Sequence, residues 1–166
     1  MEIKNRKTTR LKGFDYSSNA VYFVTVCVKD RKELLSEIVG SGDLDAPKVR
    51  LLPYGETVYN NITVMNEIYN NIKAEKFVIM PNHIHLLIRI INDDCGTAGS
   101  PFPTSSNLSR YISAFKRYTN REFGQNIWQR SFYDHIIRDE NDYIEHLKYI
   151  ENNPQKRLLG KDKYYV

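Results

Sequence analysis

Cysteine is scarce in this chain. There are two in 166 residues, Cys27 and Cys95, far apart and in no metal-binding spacing. That argues against a disulfide scaffold or a thiolate metal site and for a reducing, cytoplasmic setting. Cys27 lies in an apolar stretch and reads as a small buried residue. No apolar run is long enough to cross a bilayer, and the charged N-terminus has no apolar secretion-signal core, so no membrane partner is expected. A GxxxxGK[ST] phosphate loop is also missing, consistent with chemistry that needs no nucleotide cofactor. Neither an internal repeat nor a linker interrupts the chain, so one domain over 1–166 is expected.

What is present is a globular composition, 41% hydrophobic and 27% charged, with a mild excess of base. The net charge is only +4, so its distribution matters more than its total. Residues 1–19 form a basic arm carrying Lys4, Arg6, Lys7, Arg10 and Lys12. A second patch holds Arg110, Lys116, Arg117, Arg121 and Arg130, against the single acid Glu122. Two such patches suit a polyanion, nucleic acid above all, although solvated surface explains either patch alone.

Periodicity yields a coarse map. AVYFVTVCVK (Ala20–Lys29) reads as a strand, with Tyr22 sharing a face with Val24 and Val26. ELLSEIVG and PKVRLLP read as a strand pair. From Tyr54 to Ile72 the period changes: Val58, Ile62, Met65, Ile68 and Ile72 fall at helical spacing. EKFVIM and His83–Ile91 are strands joined by a tight turn at Pro81–Asn82. Residues 92–107 form a long loop rich in Gly, Pro, Ser and Thr. A second helix spans Ser106–Phe123, another strand centres on FYDHII, and a third helix runs from the N-cap Asp139 to about Asn153, ended by NNP. The order is strand, hairpin, helix, strand, strand, helix, strand, helix. It predicts an α+β fold: an antiparallel sheet with helices packed on it and a ferredoxin-like core.

Two features carry chemistry. In PNHIHLLIRI a strand turns His83 and His85 to one face and Ile84, Leu86, Ile88 and Ile90 to the other. In the second helix Leu108, Tyr111, Ile112, Phe115 and Thr119 form the apolar stripe, and Arg110, Arg117 and Arg121 form another. Glu122 falls beside the apolar stripe, one turn after Tyr118. A carboxylate so placed is paired, bound to a metal, or turned to water from a frayed last turn. Two imidazoles and one carboxylate make a mixed nitrogen and oxygen set that tolerates divalent ions such as Mn²⁺ or Mg²⁺, less selectively than a thiolate set. A tyrosine beside such an ion and a basic groove suggest attack on a phosphodiester. Each element alone is weak: a His-X-His strand is more often structural, and a tyrosine more often packs. Among the other tyrosines, Tyr111 lies deeper in the apolar stripe, and Tyr133 and Tyr143 lie on other elements. His135 and His146 read as surface or packing histidines.

Several blocks together are more specific. MPNHIHLLI resembles the HUH motif (His–hydrophobic–His) of single-tyrosine transposases, and FKRYTNREF resembles the helix bearing their nucleophile. WQRSFYDHIIRDENDYIEHLKYIENNPQKR and LKGFDYSSNAVYFVTVCVKDR resemble the C- and N-terminal blocks of the REP-associated subgroup. The resemblance implies a homodimer, a divalent metal ion and action on single-stranded DNA with hairpin ends. It implies His83, His85 and Glu122 as metal ligands, and Tyr118 as a nucleophile that forms a 5′-phosphotyrosine. Arg110, Lys116, Arg117, Arg121 and Arg130 are candidates for the DNA backbone. Trp128 and Phe132 are candidates for base stacking, with packing the stronger role for Trp128. Three alternatives stand beside it. One is an inactive hairpin-binding module. Another is a carboxylate nuclease, for which Asp93, Asp94, Asp139 and Glu140 offer no well-framed pair. The last is an RNA-binding sheet, which the core-facing aromatics of the first strand disfavour.

Overall fold

The first strand, β1 (Ala20–Cys27), pairs along its whole length with β5 (His83–Ile90), Ala20 opposite Ile90 and Cys27 opposite His83. This register fixes the molecule's two faces. Tyr22, Val24 and Val26 join Ile84, Leu86, Ile88 and Ile90 on one side, while Phe23 and Thr25 join His85 and Leu87 on the other. Strand β4 (Ile72–Ile79) flanks β5 and β6 (Tyr133–Ile136) flanks β1, giving the order β4-β5-β1-β6 with every pair antiparallel. Strands β2 (Ser36–Val39) and β3 (Lys48–Leu51) make a separate two-stranded sheet. The computed structural model describes residues 19–40, 46–91 and 104–160. The basic arm up to residue 18 lies outside them, as do Asp93, Asp94 and Cys95 of the loop.

Helices α1 (Pro53–Ile68) and α2 (Thr104–Phe123) cover the Tyr22 face, where Val58, Ile62, Met65, Leu108, Tyr111, Ile112 and Phe115 complete the larger core. Helix α3 (Glu140–Leu158) covers the Phe23 face through Leu147, Tyr149 and Ile150. The architecture is therefore α+β, as the periodicity predicts. Near the start of α1, Gly55 presses on the preceding strand pair. A Cβ there would meet the Leu35 carbonyl oxygen at 1.9 Å, so the position admits only glycine.

Three boundaries differ from the sequence reading. Helix α1 stops at Ile68, which is 64% exposed, and Ile72 opens β4 instead of ending the helix. The Asn66 side chain holds that junction, accepting from Ala74 N–H at 2.8 Å and donating to its carbonyl at 3.0 Å. Residues 104 and 105, read as loop, already belong to α2, which starts two residues before the expected Ser106. Most consequentially, NNP does not end α3, which runs through Pro154 to Leu158. Proline cannot donate to the Ile150 carbonyl. Burial of Ile150, Asn153 and Pro154 against the protein keeps the helix going despite that loss. Asp139 is the N-cap as expected, accepting from the Asp142 N–H at 2.9 Å.

Candidate active site

His83 and His85 face each other across one face of β5, Nε2 to Nε2 at 3.0 Å, and both are 0% exposed. Their outer nitrogens are pinned. His83 Nδ1 lies 2.7 Å from Asn82 Oδ1. An amide oxygen only accepts, so His83 carries its proton on Nδ1 and leaves Nε2 bare. His85 Nδ1 lies 2.8 Å from Thr25 Oγ1, a hydroxyl that donates or accepts as the ring requires. Desolvation, with Arg31 and Arg157 adding to it, pushes His83 down to about 3. Desolvation and the neighbouring His83 and His146 hold His85 well below its ordinary value. Both rings are thus neutral at physiological pH, the form in which imidazole binds a metal ion.

Helix α3 lies over this pair. The Tyr149 ring sits edge-on to His85 with centroids 5.2 Å apart, and edge-on to Phe23 at 5.7 Å. Lys156 Nζ stands 4.5 Å from the Tyr149 ring centroid. Four residues on is Asn153, 0% exposed, whose amide nitrogen and oxygen both lack a partner among the described residues. One turn further is Arg157, which bonds Glu33 and whose charge reaches His83. Tyr149, Asn153 and Arg157 share one stripe of α3. Asn153 is bracketed by a residue against His85 and a residue whose charge acts on His83. A wholly buried, unpartnered amide costs about 1–3 kcal/mol, so its presence needs a reason. With His85 in the tautomer that donates from Nδ1 to Thr25, two imidazole Nε2 atoms and an amide oxygen make a donor set that fits a divalent ion such as Mg²⁺ or Mn²⁺.

The residues expected from the sequence fall elsewhere. Tyr118 is on α2, across the sheet from the histidines, 38% exposed and with the Arg117 guanidinium 5.4 Å from its ring centroid. Glu122 turns to α1, accepting from Asn61 Nδ2 at 2.9 Å. Among the described residues it forms no three-ligand cluster with the histidines. Strand alternation is the reason: the face of β5 that bears the histidines is opposite the face on which α2 packs. Lys116 is also not a free cation. Its ammonium donates to the carbonyls of Gln129, Arg130 and Ser131 at 2.8, 3.4 and 2.9 Å, tying that segment to α2. Burial pushes it down to about 8. Arg117 and Arg121 do line an open cavity of about 720 Å³ along α2, and Arg110 is exposed. Trp128 is a packing residue, buried, with its Nε1 donating to Thr119 Oγ1 at 2.7 Å.

The comparisons with known proteins agree with this frame. No protein-family model matches the chain. An uncharacterized protein of Haemophilus influenzae is 31% identical over 182 residues, spanning 99% of this chain and 95% of its own. A second protein of that organism, provisionally described as a REP-associated tyrosine transposase, is 27% identical over 149 residues, 86% of this chain and 74% of its own. The REP-associated tyrosine transposase of Escherichia coli is 31% identical over 80 residues, 48% of this chain and 42% of its own. The chain is a homologue of the REP-associated tyrosine transposases. A solved REP-associated tyrosine transposase bound to a REP hairpin shares the fold, with a TM-score of 0.61 at 22% identity over 97% of this chain and 77% of that one.

In this homologue the tyrosine beside the histidine pair is Tyr149. The sequence did hold a signal for it. Tyr149 and Asn153 are four apart in YIENNP, the same one-turn spacing that drew attention to Tyr118 and Glu122. An uncharged amide in a segment read as a helix end attracts less notice than a carboxylate. The alternation that separates α2 from the histidines appears only when the helices are docked.

Proposed function

We propose that this protein is a metal-dependent single-stranded DNA nicking and strand-transfer enzyme, with Tyr149, rather than Tyr118, as its nucleophile. The observation that carries the assignment is the Tyr149 ring 5.2 Å from that of His85. His83, His85 and Asn153 would hold a divalent ion, which when bound polarises the scissile phosphate. Asn82 and Thr25 orient the two imidazoles from behind. Lys156, over the Tyr149 ring, holds it by a cation–π contact.

The Tyr149 phenol gives its proton to solvent and its oxygen attacks phosphorus. A phosphotyrosine bond to the 5′ side forms, and the bond to the 3′ oxygen breaks. That oxygen leaves as a 3′-hydroxyl, taking a proton from solvent. Reversal with another 3′-hydroxyl joins strands, so bond energy is exchanged rather than lost to water. Arg110, Arg117 and Arg121 supply exposed positive charge for the DNA backbone. A hairpin-bearing strand is the favoured substrate, given the hairpin bound by the solved relative.

A second reading has one observation in its favour. The histidines are wholly enclosed beneath α3, an arrangement that also suits a hairpin-binding module without catalysis. One assay separates the two. Wild type, Tyr149→Phe and Tyr118→Phe are incubated with Mn²⁺ and single-stranded oligonucleotides from the DNA flanking the coding region, then run on denaturing gels. A covalent adduct is expected from wild type and Tyr118→Phe and not from Tyr149→Phe. An adduct that survives in Tyr149→Phe removes the assigned nucleophile. Tight hairpin binding with no adduct from any protein favours the binding module.

A further inference from the structure

A second group of ligand-type side chains lies on the α3 face of the sheet, apart from the histidine pair. His135 projects from β6, and Asp142 and His146 from the first two turns of α3. His135 Nε2 is 3.1 and 3.0 Å from the two Asp142 oxygens. His146 Nδ1 is 3.0 Å from Asp142 Oδ1 and 2.9 Å from the Asp142 carbonyl oxygen. One ligand atom from each residue falls within a span of 4.8 Å, the only such grouping among the described residues. The two imidazoles stack nearly parallel, centroids 4.8 Å apart and planes 17° apart.

We propose that His135, Asp142 and His146 form a second metal site, selective for a zinc-like transition ion, that fastens α3 to β6. Two imidazoles and one carboxylate are a borderline-soft set, preferred by Zn²⁺ over Mg²⁺ or Mn²⁺. Three protein ligands leave coordination positions for water, and side-chain exposures of 39%, 15% and 21% leave room for it. The carboxylate is already aimed. The Arg138 backbone N–H donates to Asp142 Oδ2 at 2.9 Å, the outer contact that orients a ligand. Against the burial that would raise it, this bond and His135 hold the Asp142 carboxyl below its ordinary range, so it is ionised and ready to bind.

The site is distinct from the histidine pair but joined to it through one ring. Phe23 lies 4.7 Å from His146 on one side and stacks on His85 at 5.1 Å on the other. His146 is also one turn before Tyr149 on the same helix. An ion linking β6 to α3 therefore fixes the helix that carries the tyrosine, without touching the reacting atoms.

The test is zinc stoichiometry on the full metal-free chain, by equilibrium dialysis against ZnCl2 with elemental analysis. Wild type is compared with His135→Asn, a half-exposed position whose replacement spares the core, and with His83→Ala/His85→Ala. The proposal expects His135→Asn to hold one zinc fewer per chain than wild type. It also expects His83→Ala/His85→Ala to retain one zinc that disappears when His135→Asn is added. Zinc should raise the melting temperature of His83→Ala/His85→Ala, and that rise should vanish with His135→Asn. Unchanged stoichiometry in His135→Asn overturns the proposal, even if the histidine pair is too deep in the core for its double variant to fold. The outcome is independent of adduct formation, so the failure of either reading leaves the other standing.

Discussion

Replacing Asn153 with leucine separates stability from function at one atom group. The side chain is fully buried and neither amide atom has a partner among the described residues. An unsatisfied buried polar group costs about 1–3 kcal/mol, and an apolar residue of similar branching removes that cost. The larger methyl groups return up to about 1 kcal/mol as crowding. In EDTA, Asn153→Leu should therefore be more stable than wild type by roughly 1–2 kcal/mol. For a chain of this length that corresponds to a melting temperature higher by about 2–8 °C. Saturating Mn²⁺, at about a hundred times its dissociation constant, should stabilise wild type by about 2.7 kcal/mol and the variant by much less. The order of the two melting curves should then reverse between EDTA and Mn²⁺. Calorimetry or circular dichroism in both buffers reads the crossing directly. A variant less stable than wild type in EDTA would mean the amide is used structurally. Equal stabilisation of both by Mn²⁺ would remove Asn153 from the ligand set.

Three further outcomes follow from particular contacts. Thr25→Val removes the hydroxyl beside His85 Nδ1 and should weaken Mn²⁺ binding about 10–100-fold by calorimetric titration; unchanged affinity would show that the hydroxyl does not orient the ring. Lys116→Met empties three carbonyl acceptors and should lower stability by about 1–2 kcal/mol in urea titration while single-stranded DNA affinity holds at fixed salt. The opposite pattern would return Lys116 to the DNA surface. For pH, the folded His83 stays neutral down to about 3 while the unfolded histidine takes a proton near 6.5. The stability it contributes is full above pH 6.5 and falls below it, by about 1.4 kcal/mol per pH unit. The urea midpoint at pH 5 should lie below that at pH 7.5 by the equivalent of about 2 kcal/mol or more, since His85 shifts the same way. Equal midpoints would show that the pair is not held neutral.

Much of the fold was legible because period-2 and period-3.6 patterns are local. HIHLLIRI announced a strand with two histidines on one face, and SRYISAFKRYTNREF announced an amphipathic helix. The errors came where a local rule met a non-local force. Ile72 fits the helical period of α1, yet it pairs with Ile90 across a strand edge. Pro154 is a helix breaker by propensity, yet α3 passes through it because Ile150, Asn153 and Pro154 itself are buried. That second error hid the site, since it cut the helix at Asn153. Lys116 looked like one base in a basic patch, and only the 129–131 segment folding back onto α2 shows where its charge goes.

By itself the sequence determined the strand bearing His83 and His85, the element order, the α+β class and the resemblance to tyrosine transposases. All of these rest on spacing within short segments or on blocks in order along the chain. Tertiary structure alone decided which helix covers the histidines. A strand has two faces, and nothing within β5 says whether α2 or α3 packs on the imidazole side. Because α3 does, the tyrosine beside the histidines is Tyr149, the buried amide one turn on is Asn153, and His135 of β6 meets Asp142 and His146 of α3.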